Sequence, residues 1–489
     1  MIKRKIKRKK TKVIATIGPA SNTVTMIKSM ISSGVDVFRI NASHQSNPDE
    51  VKTMVSDIRM ASIELSRWVS IFLDLQGPKI RIGTFKHPNV TLKRGESFTL
   101  VADSIEGNQE QCSTSYPQLI SDCNVGDIIL IDDGKIKLIV EKKEASQLIC
   151  NVLNGGVISS KKGLNLPNTE LNISPITSKD RRDILTAIAN QLDYVALSFV
   201  NSADDVKQLR SILDDNGGTN IRIISKIERP QAMNNLKEII EQSDAVMVAR
   251  GDLGVEIGLE NVPSAQKQII YECNQLMKPV IVATQMLETL IDKRTATRAE
   301  VSDIANAIYD HCDAVMLSAE TATGIDPENA VSIMRDICFA TDTRMVDIKK
   351  RDPSYYKFVF SLPVQTMATS FVKAADQIAE ENNANAIMTF TSTGQTPLIA
   401  SKLNPGIPIL GVTDNEVTMR RLALYRGVIP IMLPEKFANI HRWRDMIRSG
   451  IDTAKSLGVL AVGDTLVITA GIPINKAGGI NSIRLQVVA

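Results

Sequence analysis

The chain has 489 residues, 43% of them hydrophobic, and a net charge of +3 from 57 basic and 54 acidic side chains. That length exceeds the roughly 250–300 residues at which a single core stops growing, so two or three domains are expected, and the near balance of charge excludes a global bias toward nucleic acid or membrane surfaces. Six cysteines with no CxxC pair and no finger spacing point to inert core thiols in a reducing cytoplasm, and no apolar run approaches the ~18 residues of a membrane span.

Charge does cluster at the start, in Lys3-Arg4-Lys5 and Lys7-Arg8-Lys9-Lys10. The apolar stretch 13–17 behind it is too short for a signal-peptide core, so a solvated basic N-terminus is expected. From there strand and helix alternate. Apolar runs at 13–17, 35–40, 69–73, 194–199, 221–224, 245–248, 280–283 and 314–317 read as buried strands. Amphipathic stretches such as 51–65, 202–213, 262–276 and 298–311 read as helices between them. Eight strand-helix units predict a closed parallel (β/α)8 barrel of the TIM type, in which chemistry sits at the carboxyl ends of the strands.

Those ends carry groups that a structural apex does not need. Strand two runs into Arg39, Asn41, Ser43 and His44, strand three into Asp74, and strand five into Lys226 and Glu228. Strand six runs into Arg250 and Asp252, strand seven into Thr284, strand eight into Glu320. One such residue would be a solvated rim charge; their convergence on one face predicts a site. Lys226 and Glu228, two apart on an extended chain, share a face, and Asp252 adds a second carboxylate. Two carboxylates beside an ammonium suit a hard divalent ion that holds an anionic substrate while the lysine neutralises developing charge.

After strand three the helix is missing, and residues of all-β character intervene, with strands at 90–93, 98–101, 128–131, 136–140 and 148–152 and Asp133-Gly134 as a hairpin turn. An inserted β domain rooted at the active face acts either as a lid that expels water or as decoration. The expected limits are 1–78 and 175–346 for the barrel, 79–174 for the insert and 347–489 for a C-terminal domain. The charged stretch 347–352 reads as the link into that domain, where helix and strand alternate again in the manner of an open doubly wound α/β sheet. Its first strand leads into Thr391-Ser392-Thr393-Gly394-Gln395-Thr396. These hydroxyls at a helix opening suit a bound phosphate as well as an ordinary helix cap, and the six residues alone leave both open.

Eight stretches recur in order: TKVIATIGPAS at 11–21, RINASH at 39–44, DLQGPKIR at 74–81, KKGLNLP at 161–167, SKIERP at 225–230, MVARGDLG at 247–254, ATQMLE at 283–288 and LSAETA at 317–322. Together they resemble the pyruvate kinase family over essentially the whole chain. The resemblance implies glycolytic transfer of the phosphoryl group of phosphoenolpyruvate to ADP, giving pyruvate and ATP. It implies Glu228 and Asp252 as ligands of Mg2+ or Mn2+, and Lys226 with Arg39 against the moving phosphoryl group. Backbone N–H groups at Gly251 and Asp252, with the Thr284 hydroxyl, would hold the substrate carboxylate. Thr284 is also the family's candidate at protonation of the enolate, although a strand-end threonine bonded only to backbone is the other reading. Asn41, His44, Arg81 and Lys162 match the nucleotide positions, Arg81 doubling as a catalytic cation and Lys162 reaching the site only under a closed lid.

One departure is instructive. Members that need K+ hold it with the counterparts of Asn41, Ser43, Asp74 and the backbone of Leu75, and carry a glutamate where this chain has Lys79. A tethered ammonium in that neighbourhood replaces the bound ion, and Leu75, Gln76 and Ile82 also resemble the potassium-independent branch, so K+ is expected to be dispensable. By the same resemblance the loop from Thr391 to Thr396 takes a phosphorylated effector and the assembly is a homotetramer; the glycine-rich segment 471–481 is expected nearby because it follows the strand that ends at Ala470. The rival readings are a Mg2+-dependent barrel lyase or mutase acting on an enolpyruvate compound, and a non-catalytic sensor built on the C-terminal phosphate loop.

Overall fold

The computed structural model describes residues 8–44, 47–167, 169, 173–352, 366–436, 440, 442–471 and 480–489. The start of the basic leader and the glycine-rich run 472–479 lie outside the described residues. Eight strands form where the apolar runs predict them: Lys12–Thr16, Val37–Asn41, Ser70–Asp74, Tyr194–Leu197, Arg222–Ile227, Ala245–Ala249, Val280–Ala283 and Ala314–Leu317. They pair in parallel and close, the first strand bonding both the second and the eighth. Their apolar residues are buried on both faces, which is why these strands read as continuous hydrophobic runs rather than alternating ones.

Local signals set the helices around the barrel. Ser178–Ala189 and Arg298–Tyr309 start at capping boxes, Thr177 with Asp180 and Thr297 with Glu300, each satisfying otherwise orphaned backbone donors. The chain leaves the barrel after Asp74 and returns ahead of Ser178. Between them lie a six-stranded sheet and a two-stranded one. The predicted hairpin joins Ile128–Ile131 to Ile136–Lys143, and its Asp132, Asp133 and Gly134 all take positive φ. Three further strands, Gln111–Ser113, Gly156–Ile158 and Leu164–Asn165, are too short to show a period in sequence.

The charged stretch 347–352, expected as a link, is instead the end of the 25-residue helix Pro327–Arg351 and its cap, Asp352. Lys349, Lys350 and Arg351 occupy the last turn, where the negative end of the helix dipole favours cations. The C-terminal sheet runs in the order Val428–Met432, Ile409–Thr413, Ala386–Phe390, Thr465–Ala470, Ser482–Val487, parallel except for the last strand.

This domain seals the amino-terminal end of the barrel. Ser70 and Tyr194, at strand starts, donate to the carbonyls of Arg420 and Arg421. Lys402 pairs with Asp313, Arg420 with Asp193 and Arg426 with Asp342, every acid on the barrel side and every base on the C-terminal side. Closing that end leaves the carboxyl ends of the strands as the open mouth. Among the described residues no helix is long and apolar enough to cross a membrane.

Candidate active site

The fifth strand ends on the mouth's floor with Lys226 and, one residue past it, Glu228, both sequestered from solvent. The Lys226 ammonium lies 2.8 Å from Glu228 Oε1 and 3.2 Å from Asp74 Oδ1, and donates to Ser198 Oγ at 2.8 Å. Burial alone would lower its pKa, but Asp74, Glu228 and Asp252 outweigh that and hold it above the ordinary lysine value. Lys226 is therefore a permanent cation at neutral pH. Arg39, at the end of the second strand, donates Nε to Asp74 Oδ2 at 2.8 Å and pairs through Nη2 at 2.6 Å. Burial works against ionisation of Asp74, but Lys226 and Arg39 override it and keep its pKa below the usual carboxylate value.

Ser198 and Phe199 are absent from the strand-end reading, yet they organise this floor. Ser198, at the end of the fourth strand, accepts from Lys226 and donates to Leu75 O at 2.7 Å. Phe199 takes a positive φ of 56°, a strained geometry for an aromatic residue, and its N–H donates to Glu228 Oε2 at 2.8 Å. The legible clue was a hydroxyl at the end of strand four, a strand otherwise without polar groups at its tip.

Glu228 and Asp252 are the residues that could hold a divalent ion. Glu228 Oε1 is buried with the Lys226 ammonium 2.8 Å away, a hard oxygen that a divalent ion would share with that cation. Burial, then Asp252, raises the Glu228 pKa against the opposing pull of Lys226. Among the described residues no group of three or more ligating side chains gathers into a metal cage. Two carboxylates suit Mg2+, which is commonly held by one or two acids and completed by substrate oxygens and water.

Asp252 sits in the first turn of the helix Arg250–Ile257. The Gly251 N–H donates to Thr284 Oγ1 at 2.8 Å, and that hydroxyl donates to Ala283 O at 2.6 Å, so in this state Thr284 is bonded to backbone. Glu320 belongs to the scaffold rather than the mouth: it accepts from Leu287 N at 3.1 Å and Ser318 N at 2.6 Å, tying the seventh and eighth loops together.

The nucleotide positions divide between barrel and insert. Asn41 ends the second barrel strand and His44 follows it, with Asn41 Oδ1 accepting from Ser43 N at 3.1 Å and both Ser43 and His44 exposed. Arg81 and Lys162 stand on adjoining segments of the insert; Arg81 donates to Lys161 O at 2.9 Å, and Lys162 pairs with Asp132 at 2.9 Å. Of the four positions matched to a monovalent-cation site, Asp74 is engaged by Arg39 and Lys226, Leu75 O by Ser198, and Asn41 Oδ1 by Ser43. Lys79 is exposed and runs along Gly163, lining with Arg229, Asp252 and Glu256 a cleft between the root of the insert and the mouth. The insert is fastened there by Asn165 donating to Glu256 at 2.9 Å and Arg229 donating to Thr169 O at 3.3 Å.

In the C-terminal domain, Thr391 Oγ1 accepts from Gly394 N at 2.8 Å, Gly394 is left-handed at φ 90°, and Gln395–Lys402 is the helix that follows. Ser392, Thr393 and Gln395 are exposed, and Thr396 is half-buried in the first helical turn.

The sequence matches two models of one known family along most of the chain. The family model described as pyruvate kinase, barrel domain, covers residues 8–331, and the one described as pyruvate kinase, alpha/beta domain, covers 369–486. The chain belongs to the pyruvate kinase family. As a pyruvate kinase family member it is an enzyme of the phosphotransferase class. It is 40% identical over 488 residues to a pyruvate kinase of Geobacillus stearothermophilus, an alignment spanning 99% of this chain and 81% of that one. It is 39% identical to a pyruvate kinase of Clostridium acetobutylicum, over 98% of this chain and 99% of that one. The crystal structure of a pyruvate kinase from Cryptosporidium parvum superposes with a TM-score of 0.90 at 34% identity, covering 98% of this chain and 96% of that one.

Proposed function

We propose that this chain transfers the phosphoryl group of phosphoenolpyruvate to ADP in the cytoplasm, releasing pyruvate and ATP. The observation that carries the reading is the Lys226 ammonium, held between Asp74, Glu228 and Ser198 with Arg39 alongside, at the open end of the barrel. The bond between phosphorus and the enol oxygen breaks, a bond to a β-phosphate oxygen of ADP forms, and the enolate takes a proton at its terminal carbon. A loose, anionic transfer state asks for positioned positive charge more than covalent help, and Lys226 and Arg39 supply it. The substrate carboxylate would be held at the start of the helix Arg250–Ile257, with the Gly251 N–H and the Thr284 hydroxyl turning to it from their present partners, Thr284 Oγ1 and Ala283 O. Thr284 stands where the proton is delivered. A divalent ion, Mg2+ or Mn2+, would be held by Glu228 and Asp252 and would polarise substrate oxygens as a Lewis acid. Asn41, His44, Arg81 and Lys162 bind the nucleotide, the last two brought down by the insert acting as a lid. The limits 79–174 for that lid complete the reading, with the proposed 347–489 effector domain entered through the last turn of the helix Pro327–Arg351.

A coupled assay on the purified chain tests it. ATP is expected to form only when phosphoenolpyruvate, ADP and a divalent ion are all present, and chelation by EDTA should abolish it. Consumption of phosphoenolpyruvate without ADP would favour the lyase or mutase reading instead.

Lys79 supports a further part of the proposal, that no K+ is needed, because a cation built into the chain lines the cleft beside Asp252. Turnover with tetramethylammonium in place of K+ is expected to stay within about twofold, the Coulomb contribution being supplied by the tethered charge. The Lys79→Glu variant should become K+-dependent. A many-fold activation of the wild type by K+ would refute this. The loop from Thr391 to Thr396 is the proposed seat of a phosphorylated effector. Homotetramer assembly is proposed with it, supported by Leu485 and Val487, exposed two residues apart on one face of the edge strand Ser482–Val487.

A further inference from the structure

Thr284 and Gln285 both take positive φ, 70° and 54°. A β-branched residue adopts the left-handed region only where its surroundings impose it. Here the turn aims two consecutive carbonyls at one buried guanidinium. Arg250 donates to Thr284 O through Nε at 3.3 Å and Nη2 at 2.7 Å, and Nη2 also reaches Gln285 O at 3.3 Å and Met286 Sδ at 2.7 Å. Its other arm, Nη1, meets both oxygens of Asp303 at 2.8 and 2.6 Å and Gln266 Oε1 at 3.5 Å. The next residue, Gly251, donates its N–H to Thr284 Oγ1. Arg250 and Gly251 thus grip Thr284 from both ends, the guanidinium on its carbonyl and the amide on its hydroxyl.

We infer that Arg250, braced by Asp303, is a positioning residue that holds Thr284 in the geometry its hydroxyl needs beside Gly251 and Asp252. Arg250 lies at the end of strand six among the substrate-facing groups, but its side chain points away from the mouth and back into the scaffold beneath the seventh loop. A planar fork with several fixed donors satisfies two carbonyls and a carboxylate at once; an ammonium on a flexible stem does not reproduce that geometry. Without the fork, the turn has no donor for Thr284 O, and the threonine is free to relax out of its left-handed conformation and carry its hydroxyl off the Gly251 amide. The inference rests on the proposed role of Thr284 at the reacting centre, and its test separates the two.

Four proteins suffice: Arg250→Met, Thr284→Val, the double variant, and Asp303→Asn, the last at a carboxylate that is 40% exposed and tolerant of an isosteric change. Each is assayed for kcat, for KM toward phosphoenolpyruvate, and for exchange of solvent deuterium into the methyl group of pyruvate, which reports the proton step alone. Arg250→Met is expected to lower kcat and the exchange rate together by tenfold or more, with KM changed less than threefold. Asp303→Asn should lower both several-fold in the same ratio. The double variant should be no worse than the poorer single one, because a residue acting through Thr284 has nothing left to position once the hydroxyl is gone. Multiplicative losses in the double variant would overturn the inference, as would an Arg250→Met enzyme within twofold of wild type. Wild-type behaviour of Thr284→Val would instead remove the reading on which it rests. Should Arg250→Met fail to fold, Asp303→Asn combined with Thr284→Val gives the same cycle, and additivity there overturns it equally.

Discussion

Replacing Lys226 by methionine is expected to lower turnover at least a hundredfold and toward a thousandfold, the range of about 2.7–4 kcal/mol seen when one donor to a developing anion is removed. Methionine keeps the length of the stem and removes the charge that Asp74, Glu228 and Asp252 hold above its ordinary pKa. Coupled measurement of ATP formation checks it. Loss of the ammonium also leaves Glu228 and Asp252 without their neutralising neighbour, so Mn2+ affinity, followed by paramagnetic titration, is expected to stay the same or tighten. That pairing separates lost transition-state stabilisation from general damage: a misfolded site would lose the ion too. A variant within tenfold of wild type would contradict the role given to Lys226. Since the pKa is raised, the cation persists through the neutral range, and any loss of activity on mild acidification must come from other groups, the raised Glu228 among them.

The second large effect lies at the opposite end of the barrel. Lys402→Ala is expected to destabilise the fold by about 3–5 kcal/mol, the cost of stranding one partner of a buried ion pair. Both side chains are 2% exposed, and Asp313 also accepts from Val280 N at 2.8 Å while Lys402 donates to Asn274 Oδ1 at 2.8 Å. Removing the lysine leaves a buried carboxylate under the eighth strand without its cation. Chemical unfolding of the Lys402→Ala variant should show the loss, and Lys402→Met combined with Asp313→Asn should recover much of it, because no unpaired charge then remains buried. Equal destabilisation in the two proteins would mean that packing, not charge, sets the cost. Lys402 also closes the helix Gln395–Lys402, which the Thr391 to Thr396 loop opens. The proposed effector loop and the floor of the barrel are thus two ends of one short rigid element.

What the amino-acid order determined on its own was the barrel and the set of charges at its mouth. The strands are legible because a strand buried on both faces must be apolar throughout, and the charges at the mouth because polar groups directly after such runs gather on one face of the barrel. The capping boxes at Thr177 and Thr297 are equally local. What only the tertiary structure decided is where each polar side chain finds its partner. Arg250 and Glu320 sit at strand ends like Lys226, yet both turn back to tie loops together. Ser198 looks like a strand-end hydroxyl and proves to be a hydrogen-bond partner of the Lys226 ammonium. Lys162 meets Asp132 on its own insert, and the cluster 347–352 ends the helix Pro327–Arg351 instead of linking two domains. The sealing of the barrel by Lys402, Arg420 and Arg426 joins residues up to 227 positions from their acids. Periodicity records which face of an element is buried, within a window of a few turns; it does not record which distant group will lie across that face, because that is settled only when the chain closes on itself.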